Sequence, residues 1–440
     1  MSDSQNPDDL VELVLSTLSE AIDVPAVAAE AGEPLVHDAY EALRYGNFRL
    51  LLVSICVTFF AQQMLTVAIG WELYERTNSS LVLGGIGLAQ IIPIILLFLP
   101  SGYIIDRYSR KGILLVSLIV LGLATLGLAA LSFLHGSLFL IYGCLAVMGG
   151  AQSFSNPASS VLIAQVVPEH VFESATTWRS SFAQLAAVLG PATGGFLIGI
   201  FGGATLIYVL SGAAFFLISL VLLLMRVRPQ VKQQKSVRSF ATVVEGLRFL
   251  GRTQVMLAAI TLDLFAVLFG GATTLLPVFA KDILHVGPIG LGWLQAADSI
   301  GAVCMALFLT RRPLFQHAGR TLLLAVTGFG LATIIFGLSS WFWLSLLMLF
   351  VLGGLDNISV VIRSTLTLVR TPDEMRGRVS AVTSLFIGTS NQLGGFESGL
   401  VSQLLGPIPA VVVGGVGTIL VVGIIALSWP EMRRLGTLRA

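Results

Sequence analysis

The chain reads as an all-α membrane protein, with twelve transmembrane helices in two pseudo-symmetric six-helix bundles and both termini cytoplasmic. Three observations predict this. Of 440 residues, 55% are hydrophobic and only 11% are charged, against roughly 25% charged in soluble chains. Apolar runs close to the ~20 residues that a bilayer core requires recur along the whole sequence. The basic residues collect in alternate loops, which sets a topology. Glycine, at 46 of 440, adds the small residues that let helices approach closely in lipid.

The elements follow in order. Residues 1–43 carry ten Asp or Glu and no Lys or Arg, and are expected to form an acidic, partly disordered cytoplasmic tail. DDLVELVLSTLSEAI, after Pro7, has the pattern of a short amphipathic helix. An acidic start without an early apolar core argues against a cleaved secretory signal. The first bundle, 44–225, holds spans near 48–73, 81–104, 112–134, 138–161, 175–200 and 203–225. A basic cytoplasmic connector, 226–254, suits contact with anionic headgroups rather than nucleic acid. The second bundle, 255–429, holds spans near 255–280, 289–310, 321–339, 341–363, 379–404 and 407–429, followed by a short tail, 430–440. Twenty-one of the 25 Lys and Arg fall on one side of this arrangement and only Arg76 and Lys281 on the other, so the first side is read as cytoplasmic. The remaining two, Arg179 and Arg363, lie within spans.

The halves repeat. SSVLIAQVVPEHVFESAT (159–176) and RSTLTLVRTPDEMRGRVS (363–380) both place a proline–acid pair after an even-numbered span, at Pro168–Glu169 and Pro372–Asp373. GGF recurs at 194–196 and 394–396. Parallel six-helix repeats suit a protein whose halves rock around a central site.

GYIIDRYSRK (102–111) resembles the G-x-x-x-D-R-x-G-R-K signature between the second and third helices of the major facilitator superfamily. Gly102, Asp106, Arg107, Arg110 and Lys111 match, while Ser109 stands at the second glycine, where a left-handed turn would be costlier. NFRLLLVS (47–54), NPASSVLIAQVVP (156–168), DLFAVLFGGATTLLPVFAKDIL (263–284), MRGRVSAVTSLFIGTSNQLGGFESG (375–399) and LLGPIPAVVVGGVGT (404–418) resemble the bacterial efflux branch that includes macrolide and enterobactin exporters. The run holding Gly190, Pro191, Gly194 and Gly195 is similar to the fifth-helix antiporter motif of that superfamily, although Thr177 and Ala186 replace its earlier glycines. The resemblance covers roughly 44–435. It implies that Asp106 forms a cytoplasmic gate with the start of the eleventh helix, where Arg376 and Arg378 are the partners. The fourth span, IYGCLAVMGGAQSFSNPAS, has none of the Arg found there in many drug/proton antiporters, so coupling through that residue does not carry over.

Charges inside lipid cost about 2.5–3.5 kcal/mol on insertion scales and therefore face the bundle interior, pair, or work. Arg179, Asp263, Asp298, Asp356, Arg363 and Glu397 are such residues, and Gln62 and Gln63 sit mid-span in the first helix. For Arg363, snorkelling to the surface competes with a functional role. Asp356 lies on the same face two turns away, too far to pair with it directly. For Asp263 and Asp356, a structural ion-pair network and proton carriage are both open. Asp298 and Glu397 are best placed by depth to couple a proton. The glutamine pair and Trp71 are candidate substrate contacts, with packing and interfacial anchoring as Trp71's alternative.

The resemblance thus implies a secondary active exporter of a small amphipathic molecule, such as a drug, macrolide or siderophore. It would be driven by H+ and monomeric in the bacterial inner membrane. An uptake permease, a lipid flippase of the same fold and a transport-dead sensor are the rivals. No G-x-x-x-x-G-K-[ST] motif is present, and the scattered Cys and His lack metal-ligand spacing. No enzyme activity, metal or cofactor is expected.

Overall fold

The computed structural model describes residues 40–225, 240–311 and 317–436, and every regular element among them is helical. The acidic segment up to residue 39, the first part of the connector, Arg312 and the last four residues lie outside the described residues.

The first half comprises α1 (Gly46–Thr77), α2 (Ser80–Arg107), α3 (Arg110–Phe133), α4 (Leu138–Val166), α5 (Phe172–Phe201) and α6 (Thr205–Leu224). The connector contributes α7 (Phe240–Arg252). The second half comprises α8 (Gln254–Ile283, broken near its middle), α9 (Gly287–Thr310), α10 (Ala318–Leu338), α11 (Phe342–Arg370), α12 (Asp373–Leu405) and α13 (Pro407–Ser428), with a short α14 (Pro430–Arg434). The chain turns sharply where a left-handed residue ends a helix, at Asn78 (φ 48°) and at Gly202 (φ 70°). Ser109 and Ser137 cap α3 and α4 by accepting from the amides of Gly112 and Phe139, satisfying donors that a helix start leaves free.

Eleven of these helices are long and apolar enough to cross a bilayer. The remaining expected span, the eleventh (379–404), lies within α12, a continuous 33-residue helix that is too polar to qualify. Its polarity faces protein rather than lipid: Gln392 lines one cavity, and Ser380, Thr383, Ser390 and Asn391 line another.

Within the first half, α1 packs on α5 and α6, α2 on α4, and α3 on α4 and α6. Within the second, α9 packs on α11, α10 on α11 and α13, and α8 on α12 and α13. Two extensive pairings join the halves, α5 with α9 and α2 with α12. The apolar core runs across this junction, and within the second half the Phe279 ring of α8 lies 4.7 Å from Phe336 of α10.

One expected span departs from regularity. After Phe269, α8 passes through a 3₁₀ turn at Gly271–Leu275 and a π turn at Phe279–Ile283. The cause lies in its neighbours. A side chain at Gly271 would collide with Ser398 and with the carbonyl of Gly394 in α12, and Pro277 removes an amide from the ladder. Interrupted membrane helices persist where protein or a cavity shelters the freed backbone.

Candidate functional site

The two cross-half pairings close one end of the molecule. Call the end that holds residues 44–49, 107–111, 248–252 and 370–378 the basic end. At the opposite, far end, glycines let backbones touch. A Cβ on Gly195 would lie 2.8 Å from the Cα of Gly292, and one on Gly399 would lie 2.9 Å from the Cα of Gly84. Hydroxyls stitch the second crossing, with Ser402 Oγ donating to Ser80 Oγ at 2.9 Å and Ser79 Oγ donating to Gln403 Oε1 at 3.0 Å. Between α1 and α8, Tyr74 donates to Asp282, and Lys281 Nζ donates to Asn78 Oδ1 at 2.7 Å. Lys281 also stands 5.4 Å over the Tyr74 ring.

The glycine pattern explains the sequence motifs. Gly190 and Gly194 lie against Gln63 and Met64 of α1, and Gly195 against Gly292 of α9. In the second half Gly394 lies against Val267 and Leu268 and Gly395 against Thr274, all of α8, while Gly399 makes the close approach to Ser80 and Gly84 of α2. The two GGF runs therefore match in their first residue, which faces the bundle's own first helix, whereas the crossing to the opposite half is made by Gly195 in one half and by Gly399 in the other.

Just inside this seal is a cavity of about 340 Å³. Six glutamines line it, Gln62, Gln63, Gln90, Gln152, Gln295 and Gln392, together with Thr66, Thr273 and Thr274. No charged side chain does so among the described residues. The glutamine amides supply both donors and acceptors, and the break in α8 delivers the two consecutive threonines. Gln392 Nε2 reaches Gln90 Oε1 at 3.4 Å, across the halves. Of this set the sequence reading singled out only Gln62 and Gln63. The signal for the rest was present, because Gln90, Gln152, Gln295 and Gln392 each interrupt a different apolar span. Trp71 is not among the lining residues; it is buried in the apolar core.

A larger cavity, about 510 Å³, lies nearer the basic end between α8, α11 and α12. Asp263, Asp356 and Arg363 all face it. Arg363 does not snorkel. Its guanidinium pairs with Asp263 across α11 and α8, with both side chains about a tenth exposed (12% and 9%), and its Nε donates to the Ser359 carbonyl. Asp263 thus takes the partnership that the seven-residue spacing denies to Asp356. Asp298 of α9 stands beside Gly353, with Asp356 as its charged neighbour. Glu397 is half-buried, with a long contact of 3.4 Å from Ser398 Oγ. Arg179 is half-buried in α5, and its Nε has no hydrogen-bond partner among the described residues. One buried ion pair escaped the sequence reading: Glu72 with Arg76, at 2.5 Å. Arg76 also donates to the Ser132 carbonyl, and Tyr208 lies against Glu72. This pair ties α1 to α3 and α6 at the far end.

The basic loop at 102–111 is built differently from the expectation. Ser109 has φ −64° and serves as the N-cap of α3, so no left-handed turn exists for it to strain. Lys111 donates to the carbonyls of Leu223 and Met225 at 3.0 and 2.6 Å, satisfying the open C-terminal end of α6. Arg107 donates to the Tyr103 hydroxyl, and Gly102 is buried. The Arg110 Nε is buried without a partner among the described residues. Asp106 is exposed. Arg376 and Arg378 are engaged elsewhere, Arg376 with Asp373 at 2.6 Å and Arg378 with Glu245 of α7 at 2.5 Å. Helix α7 is seated on α12 by this pair, by Leu250 in the core and by Gly246 against Val382 and the Arg378 carbonyl.

Comparison with known proteins matches the model of the Major Facilitator Superfamily to residues 51–396. The chain is similar to the multidrug efflux pump Tap of Mycolicibacterium fortuitum, with 25% identity over 88% of this chain and 96% of that protein. It is similar to the enterobactin exporter EntS of Shigella boydii serotype 4, with 24% identity over 88% and 92%. Among solved structures, a bacterial homologue of the human lysosomal transporter Spinster, inward-facing and occupied, superposes with a TM-score of 0.71. That match has 14% identity and covers 88% of this chain and 97% of the other. The nucleoside transporter NupG superposes with a TM-score of 0.70, 12% identity and coverage of 87% and 100%. At these identities the structural matches speak for the fold.

Proposed function

The chain belongs to the Major Facilitator Superfamily, and from that premise we propose that this membrane transporter is a secondary active exporter of small amphipathic molecules, coupled to H+. The observation that carries the reading is the uncharged, glutamine-lined cavity at the junction of the halves, sealed at the far end by two glycine crossings. Such a site recognises a neutral polar surface through several weak hydrogen bonds and can serve cargoes of varied shape. A drug, macrolide or siderophore fits that description. Export is supported by relatives named as a multidrug efflux pump and an enterobactin exporter.

The basic end is cytoplasmic on the charge rule, with α12 as the eleventh of twelve spans and both termini on that side. The protein works as a monomer in the bacterial inner membrane. The glycine crossings at the far end, and the pairing of Arg376 with Asp373 and of Arg378 with Glu245 at the basic end, support reading this conformation as the cytoplasm-facing state of an alternating-access cycle. When the cycle turns, Asp106 latches onto the start of α12. A helix N-terminus carries partial positive charge, and Arg376 and Arg378 add more. Asp298 and Glu397, within the bundle, are the carboxylates assigned to the coupling proton.

Inside-out vesicles test this. Under an imposed proton gradient they should accumulate members of a drug and siderophore panel, and Gln63→Ala should lower that accumulation. Absence of gradient-driven accumulation across the panel would count against export.

A further inference from the structure

A second repeat lies in two of the crossing helices. GIGLAQ of α2 (85–90) and GLGWLQ of α9 (290–295) share the pattern G-x-G-x-x-Q, and both helices run from the far end toward the basic end. The second glycine of each stands in a crossing between the halves. A Cβ on Gly87 would lie 2.6 Å from the Gln392 carbonyl oxygen of α12, and one on Gly292 would lie 2.5 Å from the Pro191 carbonyl oxygen of α5. Three residues on, the same helix face continues one turn deeper, and there Gln90 and Gln295 line the glutamine cavity. Each half therefore places one amide directly beneath its own part of the seal.

The polar groups of this cavity are mostly uncommitted. The side chains of Gln62, Gln63, Gln152 and Gln295 make no hydrogen bond among the described residues, and Gln90 has only the 3.4 Å contact with Gln392. Thr273 and Thr274, where α8 is broken, also make none, whereas Thr66, Thr327 and Thr333 bond to the carbonyl one turn back. Amides and hydroxyls each donate and accept, so a ligand hydroxyl, which does both, matches such a wall. A carboxylate only accepts and an ammonium only donates; either would leave part of the wall unpaired. No charged side chain lines the cavity to compensate an ion, and no aromatic ring lines it to stack on a planar ligand, among the described residues. We propose that this cavity, at about 340 Å³, binds an uncharged polyol such as a glycoside, gripped from the two halves by Gln90 and Gln295. That the polyol is cargo rests on the transport reading above; the preference of the site for a neutral ligand does not.

The test uses trehalose, whose two identical rings let either end meet either glutamine. Its monoamine, 6-amino-6-deoxytrehalose, and the corresponding monouronate are probes of nearly the same size and opposite charge. Binding is read by equilibrium dialysis against the purified full chain in lipid nanodiscs, where no sugar-headed detergent competes. A polar group left unpaired in a buried site costs roughly tenfold in affinity. The wild type should therefore bind trehalose at least about tenfold more tightly than either ion. Gln90→Leu and Gln295→Leu should each weaken trehalose about tenfold. Gln295→Glu, nearly identical in shape, should reverse the order in favour of the amine, and Gln90→Glu in the other half should do the same. An ion bound as tightly as trehalose, no binding of any of the three, or an order unchanged in both glutamate variants would overturn the proposal. Neutral-selective binding without gradient-driven accumulation of any panel member in vesicles would leave the site standing and defeat the transport reading. Gradient-driven accumulation of the panel with no preference for trehalose would do the reverse.

Discussion

Substituting Gly195 by alanine should open the far end. The added Cβ would meet the Pro288 carbonyl oxygen first, and would also lie 2.8 Å from the Cα of Gly292 and 2.9 Å from its nitrogen, where ordinary contact is 3.4–4 Å. Those neighbours are backbone atoms that cannot rotate away, so α5 and α9 must separate by about 1 Å, the shortfall at the Pro288 oxygen. Overpacking of this kind costs about 1–3 kcal/mol. Because the clash lies between the halves, it disappears when their far ends part. The cost therefore falls on the far-end-closed state alone and shifts the conformational equilibrium about 5- to 150-fold. Ser402 is a reporter, at 3% exposure in the α2–α12 crossing. In a background with Cys56, Cys144 and Cys304 replaced, Ser402→Cys should react with a membrane-impermeant maleimide several-fold faster when Gly195→Ala is present. Gly399→Ala at the equivalent crossing should act in the same direction. An unchanged labelling rate in protein that still runs as a single species in size exclusion would refute the reasoning.

The gate and the buried ion pair give further expectations. Asp106→Asn should leave insertion and expression intact but impair vesicle transport, while Lys111→Gln, which removes a helix cap rather than a latch, should be milder for transport and lower the melting temperature. Glu245→Gln frees Arg378 and should raise transport-linked closure of the basic end, read as slower maleimide labelling there; in an Asp106→Asn background the same change should do nothing. Asp263→Asn leaves the buried Arg363 uncompensated and should destabilise the protein by about 3 kcal/mol, seen as a lowered detergent melting temperature that Asp263→Asn/Arg363→Gln restores in large part.

Much of this protein was legible before folding was considered. Composition and apolar run length give the membrane helices because the bilayer imposes one length and one polarity on anything that crosses it. The 102–111 loop and the glycine–proline run at 190–195 were visible as motifs because their spacing is local. The count of spans was less secure: α12 hides its polar residues against protein, and composition cannot tell a face turned to a cavity from one turned to water. Ser109 was misread for a related reason. A residue type suggests a backbone shape, but the same serine side chain can satisfy a helix start instead.

What the sequence by itself determined is the membrane class, the arrangement of basic loops and the pairing of its two halves as repeats. Each follows from periodicity and charge counted along the chain. Only the tertiary structure decided which polar residues meet. Arg363 is joined to Asp263, a hundred residues away, rather than to its own helix mate Asp356. Six glutamines from both halves converge on one cavity, and Arg378 is held by Glu245 while Asp106 is exposed. Those outcomes depend on the rotation and crossing of rigid helices about one another, and glycine contacts at the far end set both. No one-dimensional pattern encodes an angle between two helices that are distant in the chain.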